Sequence, residues 1–259
     1  MHDEPRLHVE VDGTGPIVLL AHGFGGSARN FRPQARALAA RYRVVRWDAR
    51  GHARSGAPSD CAAYAPHVLV ADVGRVLDRV GATTAVVGGL SMGAAVTLQF
   101  TLAHPERVRG LVLAGFPPGP AVAGSFTALA GTLADAIERE GLEAAGARWV
   151  WGEASGLDPA SARLVRQGFL EHSPRGLACT LRSMPALIPT PEDLRRVHVP
   201  ALVVVGAEDR LSLAASRALG AALPGARLEV VPDAGHVVNL AQPAAFNAAL
   251  VRFLDALPA

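Results

Sequence analysis

Short apolar runs alternate with longer segments of helical periodicity along the first half of this 259-residue chain. The runs are too short for helices and rich in β-branched residues, and they predict buried strands at residues 17–21, 43–47, 84–87 and 111–114. The segments between them have apolar residues at helical spacing, at residues 33–41, 66–80 and 92–104. This alternation predicts an α/β fold with a mostly parallel sheet that is covered by helices on both faces.

The pattern changes after Phe116. Four segments between about residues 125 and 187 are helical in pattern, and no strand interrupts them, at residues 126–140, 142–151, 159–172 and 175–185. Strands are predicted again at 200–206 and 227–231, with helices at 214–223 and 243–257. A helical insertion between two strands of a parallel sheet predicts a lid. We therefore expect a core domain at 1–120 and 190–259 with a helical cap at 121–189.

A Gly-x-Ser-x-Gly pattern stands between the third predicted strand and the helix that follows it. It comprises Gly89, Ser91 and Gly93, and its strand–turn–helix context makes the pattern specific. Such a turn lifts the serine oxygen over a helix N-terminus, where negative charge is favoured. Ser91 is therefore the predicted nucleophile, and the alternative is a tight turn with an incidental serine.

A serine nucleophile needs a base, and the base needs a carboxylate that fixes its tautomer. His236 is the candidate base, because it lies on a glycine-containing loop between the last predicted strand and the last helix. Asp209 is the candidate carboxylate, because it lies just beyond the end of the strand at 200–206; Glu208 is the local alternative. The chain order is Ser91, Asp209, His236, and each residue follows the carboxyl end of a strand, where open parallel sheets place their sites.

These motifs resemble those of the α/β-hydrolase superfamily over nearly the full chain. The resemblance rests on His-Gly-Phe-Gly-Gly at 22–26, Asp-Ala-Arg-Gly-His-Ala-Arg-Ser at 48–55, Gly-Leu-Ser-Met-Gly at 89–93 and Ala-Gly-His at 234–236. Within the superfamily, the chain is most similar to 3-oxoadipate enol-lactonases and small carboxylesterases. Ala53 and Ala94 stand where those enzymes have glycine, which weakens an assignment to the enol-lactonase itself.

The resemblance implies further roles. The backbone N–H groups of Phe24 and Met92 would form the oxyanion hole, which stabilises the negative charge of the transition state. His22 would anchor the loop that carries Phe24, and Asp48, Arg50 and His52 would form a polar cluster that stabilises a loop. The serine nucleophile argues against haloalkane dehalogenases and epoxide hydrolases of this fold, which use aspartate.

The substrate pocket is expected between the sheet and the cap. Its predicted walls in the core domain are Phe24, Met92, Phe116, Leu211 and Val237. The cap is expected to contribute Trp149 and Trp151, although these two tryptophans could equally serve only in packing. The other histidines have structural explanations, and His172 is expected at the surface or facing the pocket. A pocket of this composition suits a modest, largely apolar substrate.

Composition excludes several other functions. All 25 basic residues are arginine, so the chain has no lysine chemistry. The arginines are scattered among acids and the net charge is +2, so neither nucleic-acid nor membrane binding is expected. No metal or cofactor motif is present. Cys61 and Cys179 predict two reduced thiols, with a single disulfide as the alternative. The absence of a signal pattern or a membrane-length apolar run predicts a cytoplasmic protein.

The leading hypothesis is a cofactor-free serine hydrolase that cleaves a small-molecule ester or lactone through an acyl-enzyme. Two alternatives use the same triad: a carbon–carbon bond hydrolase of the meta-cleavage type, and a perhydrolase. A non-enzymatic ligand receptor is a third. A cap arginine facing the pocket would favour the carbon–carbon hydrolase or a lactone that carries a carboxylate, and the candidates are Arg148, Arg163, Arg166 and Arg182. The oligomeric state is not predicted.

Overall fold

The computed structural model describes residues 4–117, 123–152 and 159–258 and has one seven-stranded sheet. The strands are β1 (Val9–Asp12), β2 (Ile17–Ala21), β3 (Arg43–Trp47), β4 (Ala85–Leu90), β5 (Val108–Ala114), β6 (Ala201–Gly206) and β7 (Arg227–Val231). Their order in the sheet is β1-β3-β2-β4-β5-β6-β7, and every pairing except that of β1 with β3 is parallel. The predicted α/β fold with its mostly parallel sheet is confirmed.

The antiparallel edge strand β1 was missed by the apolar-run criterion. Its sequence, Val-Glu-Val-Asp, contains two acids, and its residues are only partly buried. An edge strand with one neighbour does not need the continuous apolar run of a central strand. The strands β2 to β6 were predicted because they are buried on both faces and have such runs, whereas β7, which is mostly exposed, was predicted from its β-branched residues.

Helices cover both faces of the sheet. Their bounds are α1 (Arg32–Leu38), α2 (Pro66–Arg79), α3 (Met92–Ala103), α4 (Ala123–Trp149), α5 (Pro159–Phe169), α6 (Pro174–Ser183), α7 (Pro191–Arg195), α8 (Leu213–Ala222), α9 (Val238–Ala241) and α10 (Pro243–Asp255). Alternate residues of each strand point to opposite faces, so Leu19 packs with α2 and α3, and Val18 and Leu20 pack with α1 and α10. Of the described helices, none combines the length and the apolar composition that crossing a bilayer requires.

Between β5 and β6, the described residues form α4, α5, α6 and the short α7, and we call α4, α5 and α6 the helical cap. α4 is interrupted at Gly141, whose φ of 82° breaks the helical backbone at the boundary between two of the helices predicted from the sequence. The cap packs on the core through a cluster that includes Phe169, Leu177 and Leu181. The helical insertion thus lies over the same face as α2 and α3.

The expectation of two separate thiols is wrong. Cys61, in a short 3₁₀ helix of the core, and Cys179, in α6, form a disulfide with their Cα atoms 5.0 Å apart. No sequence pattern marks the pair, because 118 residues separate the two cysteines. The bond ties the cap to the core.

Removing this disulfide should lower the free energy of unfolding by about 2–5 kcal/mol, because the bond constrains a long loop of the unfolded chain. Urea denaturation of a Cys61→Ala/Cys179→Ala double variant, compared with the oxidised wild type, measures the difference. A reductant should destabilise the wild type equally and leave the double variant unaffected. Equal stability of the two oxidised proteins would contradict this expectation.

Candidate active site

Ser91 lies at the sharp turn between β4 and α3. Its backbone has φ 53° and ψ −114°, a sparsely populated conformation for a residue with a side chain. Its N–H donates to the carbonyl oxygen of Ala114 at 2.8 Å, which ties the turn to the end of β5. A Cβ added at Gly89 would overlap the backbone of Gly93, and one at Gly93 would overlap the backbone of Ala21. The close approach of strand, turn and helix therefore requires both glycines.

His236 and Asp209 form a hydrogen-bonded pair at the ends of the neighbouring strands. His236 Nδ1 lies 2.9 Å from Asp209 Oδ2, and the Asp209 side chain is buried. Ser212 Oγ lies 3.1 Å from the same ring nitrogen, and the N–H of Ser212 donates to Asp209 Oδ1 at 3.0 Å. Burial raises the pKa of Asp209, but the hydrogen bonds from His236 and Ser212 outweigh it and hold that pKa below its ordinary value. Asp209 is therefore an anion that fixes the ring of His236.

Ser91 and His236 both border the end of β5. A Cβ added at Gly115 would lie 3.5 Å from His236 Cε1, and the preceding carbonyl, that of Ala114, binds the N–H of Ser91. Within the described residues the hydroxyl of Ser91 has no hydrogen-bond partner. Such bonds are often long in structures without substrate. The structure thus brings the three predicted residues to one edge of the sheet, and exposed Glu208 contributes no side-chain contact there.

The loop that carries Phe24 is a tight turn against the nucleophile. The N–H of Gly26 donates to the carbonyl oxygen of Gly23 at 3.0 Å, and Gly25 has φ 67°, which favours glycine. A Cβ added at Gly23 would lie 3.4 Å from Ser91 Cβ. Met92 is the first residue of α3, so its N–H has no acceptor within the helix. The two predicted oxyanion-hole residues therefore flank Ser91.

Three buried histidines, which we call the histidine cluster, lie behind this loop. The ring centroids of His22 and His52 are 5.1 Å apart, as are those of His52 and His172. His22 Nε2 accepts from the N–H of Ala49, so His22 Nδ1 donates to the carbonyl oxygen of Gly23 at 2.7 Å. His22 thus contacts the loop that it was expected to anchor, whereas His172, only 6% exposed, is neither at the surface nor free to face a pocket.

The predicted loop-stabilising cluster is buried and densely paired. Asp48 accepts from the N–H of Ala28 at 2.7 Å and from Arg54 Nε at 2.7 Å. Arg50 makes two hydrogen bonds to Asp72, of 2.6 and 2.7 Å. These contacts hold the loop at 48–55 in place and leave neither carboxylate free.

The predicted pocket walls differ in burial and in their relation to one small cavity. A cavity of about 20 Å³, large enough for one water, lies between α3 and the Arg50–Asp72 pair, and Met92 is the only predicted wall residue that lines it. Phe116 is buried, whereas Trp149 and Leu211 are 39% and 52% exposed. Phe24, Trp151 and Val237 are partly buried. The ring of Trp151 lies 5.5 Å from that of Phe169.

Sequence reasoning missed Phe169 and Ser212 and did not predict the buried position of His172. Ser212 follows Asp209 by three residues, and this spacing is the one local signal that was available. Phe169 and His172 reach the loop at 23–26 from the cap, more than 140 residues away, and no local pattern marks them. Among the described residues, no group of three His, Cys, Asp or Glu side chains has the arrangement of a metal site.

The histidine cluster predicts acid sensitivity of the fold. Burial lowers the pKa of His22 from 6.5 to about 4 and also lowers the pKa values of His52 and His172. Below pH 6.5 the histidines of the unfolded chain bind protons that those of the folded chain do not. The contribution of the cluster to the free energy of unfolding is therefore fully present above pH 6.5 and is lost as the pH falls toward 4. His22 alone would account for a loss of roughly 3 kcal/mol in the free energy of unfolding over this range.

Urea denaturation between pH 8 and pH 4.5 tests this expectation. The free energy of unfolding should be constant above about pH 7 and fall below pH 6.5. A His67→Gln variant, at an exposed position of α2, should follow the same curve. A free energy of unfolding that does not change between pH 7 and pH 5 would show that the cluster is not neutral.

Comparisons with known proteins show the family and the fold of the chain. A family model described as alpha/beta hydrolase fold matches residues 16–243. A Bacillus subtilis (strain 168) protein named "Putative 2-succinyl-6-hydroxy-2,4-cyclohexadiene-1-carboxylate synthase" is 31% identical over 255 residues, which cover 93% of this chain and 90% of that protein.

Two solved structures are similar along nearly the whole chain. A thermophilic esterase from Thermogutta terrifontis has a TM-score of 0.86 and 27% identity, and the match covers 96% of this chain and 93% of the esterase. The enol-lactonase from Burkholderia xenovorans LB400 has a TM-score of 0.81 and 28% identity, with 96% of each chain covered.

Proposed function

The chain belongs to the α/β-hydrolase fold family and is a hydrolase, and we propose that it cleaves carboxylic esters or lactones of small, largely apolar substrates. The observation that carries the proposal is the strained turn at Ser91 beside the His236–Asp209 pair. Backbone strain of this kind persists where the surrounding structure enforces it, and it is typical of nucleophile elbows. A paired histidine at the same sheet edge is the base that such a serine needs.

In the proposed reaction, Ser91 Oγ attacks the carbonyl carbon and transfers its proton to His236 Nε2. The carbonyl oxygen becomes negative and receives hydrogen bonds from the N–H groups of Phe24 and Met92. His236 then protonates the leaving alkoxide, and an acyl-enzyme remains on Ser91. Water, activated by the same histidine, hydrolyses this ester and regenerates the hydroxyl. Asp209 holds the ring and stabilises the imidazolium at each step.

The cap arginines favour a neutral substrate. Arg148 pairs with Glu140 at 2.9 Å and Arg166 with Glu143 at 2.8 Å, both at exposed positions. Arg182 Nη2 lies 2.7 Å from both Asp135 and Glu138. Arg163 is exposed.

Arginines that are already paired with acids on the outside of the cap do not offer a clamp for a carboxylate. The relative named as a carboxylate synthase and the enol-lactonase are therefore poorer guides to the substrate than the esterase. The carbon–carbon bond hydrolase, which the sequence left open, ranks second for the same reason.

A substrate panel tests the proposal. It comprises p-nitrophenyl acetate and butyrate, aryl esters, lactones, and a vinylogous diketone for carbon–carbon cleavage, each with and without a serine-reactive phosphonate. We expect hydrolysis of the neutral esters or lactones, abolished by the phosphonate, and little turnover of the diketone. Diketone cleavage that exceeds ester cleavage would favour the second candidate, and turnover that survives the phosphonate would refute a serine mechanism.

A further inference from the structure

The segment that joins the cap helices α5 and α6 contacts the loop that carries Phe24. His172 Nε2 lies 2.8 Å from the carbonyl oxygen of Gly25, and the N–H of Ala53 donates to His172 Nδ1 at 2.7 Å. The side chain of His172 is 6% exposed. One buried residue of the cap therefore joins two loops of the core, the loop that carries Phe24 and the loop at 48–55.

The two hydrogen bonds fix the protonation of the His172 ring. Because Nδ1 accepts from the backbone N–H of Ala53, it carries no proton, and the ring hydrogen is on Nε2. Nε2–H then donates to the carbonyl oxygen of Gly25. The ring is thus neutral, in agreement with its burial, and every polar atom of the side chain is used.

The hydrogen bond at Gly25 reaches the predicted oxyanion donor through two rigid peptide units. The carbonyl of Gly25 and the N–H of Gly26 belong to one planar peptide unit. That N–H donates to the carbonyl oxygen of Gly23, which belongs to the same peptide unit as the N–H of Phe24. Holding the Gly25 carbonyl therefore holds the plane in which the Phe24 N–H points.

Phe169 packs on the same turn. A Cβ at Gly25 would lie 2.6 Å from Phe169 Cδ2, so the ring is in direct contact with the glycine backbone. The rings of Phe169 and Phe24 are edge to face with their centroids 6.1 Å apart. Phe169 blocks outward movement of the turn, whereas His172 supplies the directional contact that sets its orientation.

We propose that His172 is a positioning residue that orients the Phe24 N–H toward the oxygen that becomes negative during catalysis. This inference rests on the proposed function. Oxyanion donors act only when they are held close to the productive geometry. His22 binds the Gly23 carbonyl independently, so loss of His172 misaligns the donor and does not remove it. The cap therefore contributes to catalysis through the shape of the core loop as well as by covering the site.

Two substitutions at His172 test the proposal. His172→Phe keeps an aromatic ring beside Phe169 but has no hydrogen-bonding group, and His172→Gln keeps one donor and one acceptor on a single planar amide. We expect H172F to lower kcat for p-nitrophenyl butyrate by about 10–100-fold, less than the loss of a whole oxyanion donor, with KM within about twofold of wild type. H172Q should recover kcat to within about threefold of wild type, because restored geometry restores the donor.

The kcat values are expressed per active site, and the active sites are titrated with the phosphonate. Misfolded protein therefore does not count as lost catalysis. Glu171→Gln is the matched control, because Glu171 is the exposed neighbour of His172 and pairs with Arg29 at the surface. It should keep the wild-type kcat.

A kcat per active site of H172F within threefold of wild type overturns the proposal, as does an equal loss in H172F and H172Q. Where H172F does not fold, His172→Asn replaces it, because the shorter amide spans only one of the two partners. Its kcat is then expected to fall below that of H172Q, and equality of the two overturns the proposal. Ser91→Ala distinguishes failure of this proposal from failure of the proposed function. Activity in Ser91→Ala refutes the proposed function itself, whereas an unchanged kcat in the His172 variants alone leaves the serine mechanism intact.

Discussion

Ser91→Ala should lower kcat for p-nitrophenyl butyrate by about 10⁶-fold, or about 8 kcal/mol of activation free energy, as expected when the nucleophile of a serine triad is removed. Alanine cannot form the acyl-enzyme, and water held by His236 is a poorer nucleophile in that position. The fold should be unchanged, because alanine retains the Cβ and the strained turn is enforced by Gly89, Gly93 and the hydrogen bond to Ala114. Steady-state kinetics on purified variant and wild type give the ratio.

Ser216→Ala is the matched control for this substitution. Ser216 is a fully buried serine of α8 whose hydroxyl has no hydrogen-bond partner among the residues that the structure describes. Its replacement should leave kcat unchanged and should not destabilise the protein, because it removes a buried unsatisfied group. Substantial ester hydrolysis by Ser91→Ala, together with a normal unfolding transition, would mean that another group carries the chemistry.

Asp209→Asn should lower kcat by about 10⁴-fold with little change in fold, as expected when the triad carboxylate is replaced by an amide. Asp209 is an anion that accepts from His236 Nδ1 and from the N–H groups of Leu211 and Ser212. An amide NH₂ facing Nδ1 would favour the tautomer with its proton on Nε2. That tautomer cannot take the proton of Ser91.

Glu208→Gln decides between the two acids that the sequence left open. Glu208 is exposed, and its side chain makes no contact with His236. Its substitution should keep kcat within about twofold of wild type, since surface changes away from a site rarely matter. If Glu208→Gln were the variant that loses activity and Asp209→Asn were active, the assignment of the carboxylate would be wrong.

Much of the site was accessible from the sequence because its signals are local. Gly89, Ser91 and Gly93 lie within five residues. The spacing of apolar residues changes from that of a strand before them to that of a helix after them. Asp209 and His236 were found because parallel strands bring their carboxyl ends to one edge, so a position just after a strand is a position near the site. The fold followed from the same alternation of strand and helix.

The remaining features depend on contacts between distant segments, which no local pattern encodes. His172 meets Gly25 across 147 residues, and Cys61 meets Cys179 across 118. The burial of the predicted pocket walls also depends on contacts between distant segments. A position near a strand end shows which edge a residue borders but not whether its side chain is exposed, as Leu211 is, or buried, as Phe116 is.

The measurement that tests the central claim most directly is the mass of the enzyme after reaction with a p-nitrophenyl alkylphosphonate, followed by peptide mapping. The account predicts one phosphonyl group per chain, on the peptide that contains Ser91, with activity lost in proportion to labelling. The Ser91→Ala variant should remain unlabelled. Complete inactivation with the label on another residue, or full activity with Ser91 labelled, would contradict the assignment of Ser91 as the nucleophile.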